Sequence, residues 1–483
     1  MASDQRAEGI SPGYRRGFET QPEERHDVRL PVEGTLPDWL QGRYIANGPG
    51  AFEAGDTPLR HWFDAFAMLR SFVFADGEIR YTNRFVRSDD YRYASEHGGV
   101  RRMLPGTPAD RSVPTRLLQA LGGQFQDNPS VGVVRFGDQW LAVTESPVGI
   151  QFDPETLETT GRIDLTAGLE CDVTLGHLHR DGDRFYNLGV SYDRTATYTL
   201  FERSSDGGAP SPLTRLRFET APYVHSFAIT ERYAVITVNP VGLDTTRLLT
   251  GAVTGDTFLD ALEPLDAPLR FVVLDRTSGD HVQTVAAPSA FVYHHANAYE
   301  TAAGIVVDCV AYEGSVRPLT ALSLSNLRAA DPDLPTGHLV RYQLPLDGSD
   351  ATRQRILKGP VEFPTIDYAH DNGRPYNNLY AAETAGTASL PTGLVRVTPD
   401  DGDTTRWSEP DTYPGEPVFV PGPDGASGVL LSVLLDPDAE RSLLVVLDAA
   451  EMTELARAPL PHRLPYGFHG QFYGPIAPGR SMN

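Results

Sequence analysis

Histidines in four similar settings hold most of the chemistry this chain could do. They are His177 in Gly176-His177-Leu178-His179, His225 in Tyr223-Val224-His225-Ser226-Phe227, the pair His294-His295 before Ala296-Asn297, and His469 in Gly467-Phe468-His469-Gly470. Each precedes or enters an apolar, β-prone stretch, such as Tyr233-Ala234-Val235-Ile236 or Ile305-Val306-Val307. Imidazole is the commonest metal ligand among side chains, although any one histidine is ordinarily a satisfied structural residue. The spacings of 48 residues from His177 to His225, 69 to His294 and 175 to His469 exclude a zinc finger or an HExxH helix. They suit a radially built fold in which separate blades each send one ligand to a common axis. His26, His61, His97, His281, His338, His370 and His462 sit mostly among charged or turn residues and are read as non-ligands.

A metal-bound imidazole donates its other N–H to a carboxylate or carbonyl, which fixes its tautomer. Three carboxylates stand in apolar surroundings: Glu145 after Trp140-Leu141-Ala142-Val143-Thr144, Glu362 in Val361-Glu362-Phe363-Pro364, and Glu416 in Gly415-Glu416-Pro417-Val418-Phe419. Burying an isolated carboxylate is costly unless something neutralises it. Each could otherwise be an exposed strand residue.

The elements that would position these groups are short strands. Apolar runs alternate with turns rich in Asp, Pro, Thr and Gly, as in Phe72-Val73-Phe74-Ala75-Asp76-Gly77-Glu78-Ile79 and again at Val134–Leu141, Gln151–Leu157, Phe271–Gly279, Leu394–Gly402 and Leu444–Ala450. Hairpins spread over 483 residues, with 45 glycines and 39 prolines, predict an all-β propeller of four-stranded blades rather than a sandwich. No linker divides the chain, so residues 1–483 are read as one domain, with 1–28 as an irregular N-terminal arm. Helices are few. Val113–Leu121 is amphipathic, its leucines facing either the core or a membrane, and Pro318–Ala330 is expected to decorate one propeller face.

The net charge of −23 repels phosphate backbones, which argues against a nucleic-acid partner. Lys358 is the only lysine, and an acidic, lysine-poor surface predicts a salt-adapted protein, with a merely acidic mesophilic one as the alternative. Cys171 and Cys309 are expected to be free thiols in a reducing cytoplasm. Residues 1–31 contain no apolar signal core, and the longest apolar runs fall far short of the ~18 residues that span a bilayer. The expectation is a cytoplasmic protein, soluble or peripheral to the membrane.

With these residues in view, the chain resembles the carotenoid cleavage oxygenases, which include β-carotene dioxygenases and the retinal pigment epithelium isomerohydrolase. The resemblance runs from Gly42-Arg43-Tyr44-Ile45-Ala46-Asn47-Gly48-Pro49-Gly50 to Phe468-His469-Gly470. It includes His61-Trp62-Phe63-Asp64, His294-His295-Ala296-Asn297-Ala298-Tyr299-Glu300 and Glu362-Phe363-Pro364, and is closest to the animal-type branch. It implies a seven-bladed propeller with helices and loops capping one face. It also implies a non-haem Fe(II) held by His177, His225, His294 and His469. The family ligand stands three positions before the asparagine, which selects His294 over His295, and His179 is a neighbour of His177. Glu145, Glu362 and Glu416 match the family's supporting glutamates, leaving His177 without one. Thr144 matches a threonine that crowds an open coordination position.

The implied reaction is O2-dependent cleavage of one C=C bond of a carotenoid or apocarotenoid to aldehydes, foremost β-carotene to retinal. Alternatives are a retinyl-ester isomerohydrolase, a stilbene-cleaving oxygenase, against which the late position of Lys358 argues, and a metal-free scaffold. The resemblance also implies peripheral membrane contact around the tunnel mouth, with Leu117, Leu118 and Leu121 as candidates.

Overall fold

Strand–turn–strand units dominate because the turns carry residues that tolerate left-handed backbone. Asp76 and Gly77, at φ 52° and 75°, join the strands Phe66–Ala75 and Glu78–Phe85 in a two-residue turn. That is the mirror-type geometry that matches strand twist. The structure, a computed structural model, describes residues 12–121, 126–192, 195–384, 390–423 and 427–475.

The hairpins assemble into the seven blades of a propeller, five sheets making one blade each and a seven-stranded sheet making two. In chain order the first blade is Gly132–Phe136, Gln139–Val143, Val148–Phe152 and Thr159–Asp164. The second holds Val173–Thr174, His179–Asp181, Arg184–Tyr192, Ala196–Ser204 and Ser211–Phe218. The third holds Phe227–Ile229, Tyr233–Val238, Leu269–Asp275 and His281–Ala287. The fourth and fifth share the long strand Thr352–Thr365. One end of it pairs with Gly337–Leu344, behind Phe291–Thr301 and Gly304–Tyr312; the other pairs with Leu379–Glu383, ahead of Gly393–Val397 and Thr404–Trp407. The sixth is built on Val418–Val420, Val429–Asp436, Arg441–Asp448 and Glu454–Pro459.

The seventh closes the ring. Gly470–Tyr473, from the far end of the chain, pairs with Gly42–Ala46, which pairs with Phe66–Ala75. Glu33–Gly34 likewise joins the sixth blade by pairing with Glu454–Pro459. Facing sheets bury aliphatic and aromatic side chains such as Leu188, Phe227, Ile236 and Leu379 completely.

One expectation is corrected. Residues 12–28 are not an irregular arm. Pro12–Phe18 form a 3-10 helix that buries Tyr14 and Phe18 fully, and Arg25–Leu30 adds an outer strand to the seventh blade. Two aromatics among many charges are too sparse a signal for sequence periodicity to detect. His61 and His462, read as non-ligands, are buried structural groups. His61 caps the 3-10 turn Trp62–Asp64, with its Nε2 2.9 Å from the Leu319 carbonyl, and the His462 Nε2 lies 3.0 Å from the Tyr81 hydroxyl.

Burial, with the Arg25 charge adding to it, pushes the His462 imidazole down to about 4. Below the ordinary histidine value the unfolded chain takes up a proton that the folded chain refuses, so stability falls as pH drops from about 6.5 towards 4. His462→Gln keeps a partner for Tyr81 and cannot titrate. The wild type should therefore lose more of its denaturant midpoint than the variant between about pH 7.5 and about pH 5. Equal losses would refute the assignment.

Candidate metal centre

The four candidate histidines come from four different blades. His177 lies between the short strands Val173–Thr174 and His179–Asp181. His225 and His469 sit just ahead of Phe227–Ile229 and Gly470–Tyr473. The double histidine is not at a turn-to-strand boundary, as the sequence suggested. It lies inside Phe291–Thr301, whose register with Gly304–Tyr312 slips between Val292 and His295 and again between His295 and Asn297. Such bulges re-aim side chains and concentrate beside functional sites.

The rings converge. Centroids of His177, His225, His294 and His469 lie 4.7–5.3 Å apart in five of their pairings. The ligand atoms of His177, His294 and His469 all fall within 4.8 Å of one another. The Nε2 atoms of His177 and His225 are 3.2 Å apart, and the His294 Nε2 is buried without a partner.

On the outer side, Nδ1 of His225 donates to Glu145 at 2.7 Å, Nδ1 of His294 to Glu362 at 2.6 Å, and Nδ1 of His469 to Glu416 at 2.8 Å. Among the described residues no carboxylate pairs with His177. Burial first, and then the surrounding imidazoles, push His177 well below the ordinary histidine range. With Nδ1 committed outward, the Nε2 lone pairs of the three carboxylate-held rings turn inward. Protons cannot fill so tight a cluster, but this donor set fits a cation that prefers imidazole nitrogen.

The neighbouring histidines are spoken for. His295 lies 2.7 Å from both Ser226 Oγ and Thr237 Oγ1, and His179 lies 2.8 Å from the Tyr368 hydroxyl and 2.7 Å from the Phe227 carbonyl. Burial holds them neutral, at about 3 and about 4.

The carboxylates have partners of their own, which sequence reasoning missed. The Tyr223 hydroxyl donates to Glu145 at 3.2 Å, and the Tyr312 hydroxyl to Glu362 at 2.7 Å. Burial would raise Glu362, but His294, the Phe363 N–H and Tyr312 together hold it below the ordinary carboxylate range. Phe363 adopts φ 55°, which costs a bulky residue about 1–2 kcal/mol. Its N–H reaches back 2.6 Å to Glu362, and its ring stacks on His294 at 5.8 Å. Tyr223 precedes His225 by two residues and was visible as part of that motif; nothing in the sequence marks the backbone of Phe363.

The ring of donors opens onto a cavity of ≈ 240 Å³, which His225, His294 and His469 all face. Thr144 and Glu145 line it too, with apolar and aromatic groups including Phe63, Leu175, Phe258 and Leu322.

A family model described as retinal pigment epithelial membrane protein, RPE65, matches residues 17–474. The chain belongs to this family. It is 29% identical to the beta,beta-carotene 15,15'-dioxygenase of Gallus gallus, over 95% of this chain and 97% of that one. It is 30% identical to a carotenoid isomerooxygenase of Galleria mellonella, over 92% and 94%. Among solved structures, a variant of the Synechocystis apocarotenoid oxygenase superposes with TM-score 0.85 at 26% identity, covering 97% of this chain and all of that one. The cobalt-substituted form of that oxygenase superposes at TM-score 0.83 and 26% identity, covering 96% and 99%. The fold is that of the RPE65 and apocarotenoid oxygenase propellers.

Glu362→Gln leaves the shape in place but weakens the hold on His294. Cobalt titration of the metal-free protein should show about 10–100-fold weaker binding. Unchanged affinity would mean that Glu362 does not support the centre.

Proposed function

We propose that this protein is a non-haem Fe(II) dioxygenase that cleaves one C=C bond of a carotenoid or apocarotenoid with O2 to give aldehydes. Central cleavage of β-carotene to retinal is the first reaction to test. The observation that carries the reading is the convergence of four imidazoles, three of them held by carboxylates, on the wall of an apolar cavity. His177, His225, His294 and His469 would hold the iron, and Glu145, Glu362 and Glu416 would fix three of those rings. Bound ferrous iron supplies the capacity to bind and activate O2 next to an electron-rich polyene. The chain's own groups do the rest. The cavity wall orients the polyene and excludes water, and Thr144 narrows the space beside Glu145.

The dioxygenase and apocarotenoid oxygenase names among the relatives support cleavage; the isomerooxygenase name keeps double-bond isomerisation open as a second activity. Purified protein should contain about one iron per chain, by the one-ion geometry of the cluster. Incubation with β-carotene and O2 in detergent should yield retinal alone. Two different apocarotenals would move the cut off centre, and an intact polyene with no iron bound would end the proposal. His294→Ala should abolish iron binding while His295→Ala retains most of it, since His295 is satisfied by Ser226 and Thr237; the reverse would overturn the choice of ligand.

Substrate delivery from a membrane fits the helix pair. Val113–Leu121 packs on Thr245–Thr254, and together they expose Leu117, Leu118, Leu249 and Val253, with Leu118 at 71% and Val253 at 55%. The side chain of Leu121 lies outside the described residues. Met103, Leu104 and Pro105, ahead of the first helix, and Phe258, just after the second, line the cavity. No helix among the described residues is long and apolar enough to cross a membrane, so attachment would be at the surface. Replacing Leu118 and Val253 together by Glu should cut co-sedimentation with neutral vesicles by about tenfold or more. Cleavage of detergent-dispersed substrate should not change. Vesicle binding unaltered by the substitutions would rule out this face.

A further inference from the structure

A second, small space of ≈ 30 Å³ lies against Glu416. Its wall includes Glu416, Tyr44, Asn47, Ser442, Tyr466 and Arg70. Arg70 is 2% exposed, forms no ion pair among the described residues, and donates from Nη2 to the Pro49 carbonyl at 2.6 Å, while its Nε finds no partner. The Tyr466 hydroxyl is likewise buried and unpartnered. A buried guanidinium without a counter-charge is costly, and so is each unmet donor.

The three supporting carboxylates differ in one respect. Glu145 and Glu362 each receive a tyrosine hydroxyl directly. Among the described residues Glu416 receives only the Gly470 N–H, at 2.7 Å, besides His469. Two phenols, Tyr44 and Tyr466, stand instead around this space. A polar space needs only about 10–15 Å³ of this measure to hold one water, which makes about three bonds. Three carboxylates around a divalent ion held by neutral imidazoles would leave one negative charge over, and Arg70 is a buried cation on the wall it shares with Glu416.

We propose that ordered water in this space joins Arg70 and the Tyr466 hydroxyl to Glu416. Arg70 is thereby a positioning residue for His469, and its charge biases the centre toward the ferrous state. This second half rests on the iron reading above. Arg70 touches neither substrate nor metal; it acts through the carboxylate that holds a ligand.

Two measurements test the proposal. A high-resolution crystal structure, with or without metal, should show water bridging Arg70 to Glu416. An empty space, or a bromide ion in a crystal soaked with bromide, would overturn it whatever the protein's activity. In the iron-loaded protein, Arg70→Met should raise the ferric-to-ferrous ratio about tenfold at a fixed applied potential, because a neighbouring positive charge has gone. Arg70→Lys should stay near the wild-type ratio. An unchanged ratio in a folded, iron-loaded Arg70→Met would refute the role of Arg70. Absence of iron from the wild type would refute the iron reading instead and leave the water bridge to the crystal. If Arg70→Met does not fold, the water structure and the Arg70→Lys ratio still decide.

Discussion

Everything at the axis depends on one constraint: three carboxylates and four imidazoles are held out of bulk water, where uncompensated charge is expensive. The chain meets part of this cost with hydrogen bonds. Each carboxylate takes an imidazole N–H, and each takes a second donor from a phenol or the backbone. Those bonds are what make the imidazoles good ligands, since an N–H tied to a carboxylate is a fixed tautomer with a more basic nitrogen on the far side. The histidine cluster could hold a metal ion, whose positive charge would offset the remainder.

A propeller suits such an object because separate blades deliver single side chains to one axis. The donors and their supports are spread one to a blade around the ring: His177, His225 and His294 on consecutive blades, then Glu362, Glu416 and His469, with Glu145 on the blade between His469 and His177. No single element could do this. The placement of His469 rests on closure, for it immediately precedes Gly470–Tyr473, which joins the seventh blade by pairing with Gly42–Ala46. Where regular strands would misdirect a group, the backbone departs from regularity, by a double slip at His294-His295 and by left-handed φ at Phe363.

Much of this was legible in the sequence, for physical reasons that differ from feature to feature. Hairpin turns such as Asp76-Gly77 announce themselves because few residues tolerate their backbone. Histidines at strand edges and carboxylates in apolar runs stood out as types that seldom occupy such places without a partner. Which carboxylate serves which imidazole was not legible, because the pairs span different blades: Glu145 lies 80 positions from His225 and Glu416 53 from His469. The preference for His294 over His295 came from resemblance alone; the satisfied bonds of His295 to Ser226 and Thr237 supply its physical reason. The phenol of Tyr312, the small space beside Arg70 and the burial of Tyr14 were invisible, since they arise from packing between segments far apart in the chain.

The phenols beside the ring of donors are already committed, and that shapes what the site can do. The hydroxyls of Tyr223 and Tyr312 face carboxylates, and the Tyr293 hydroxyl donates to the Pro318 carbonyl at 2.9 Å. Burial and the adjacent carboxylates push all three phenols well above their usual range, so none can ionise to serve as a base near neutrality. A hydrolytic or acid–base mechanism would need a proton carrier poised near the working pH. Here two of the phenols donate to carboxylates and the third, Tyr293, to a backbone carbonyl. Much of the remaining wall is apolar and aromatic. Such a wall can orient a long apolar molecule and keep water from it, which the proposed cleavage would use.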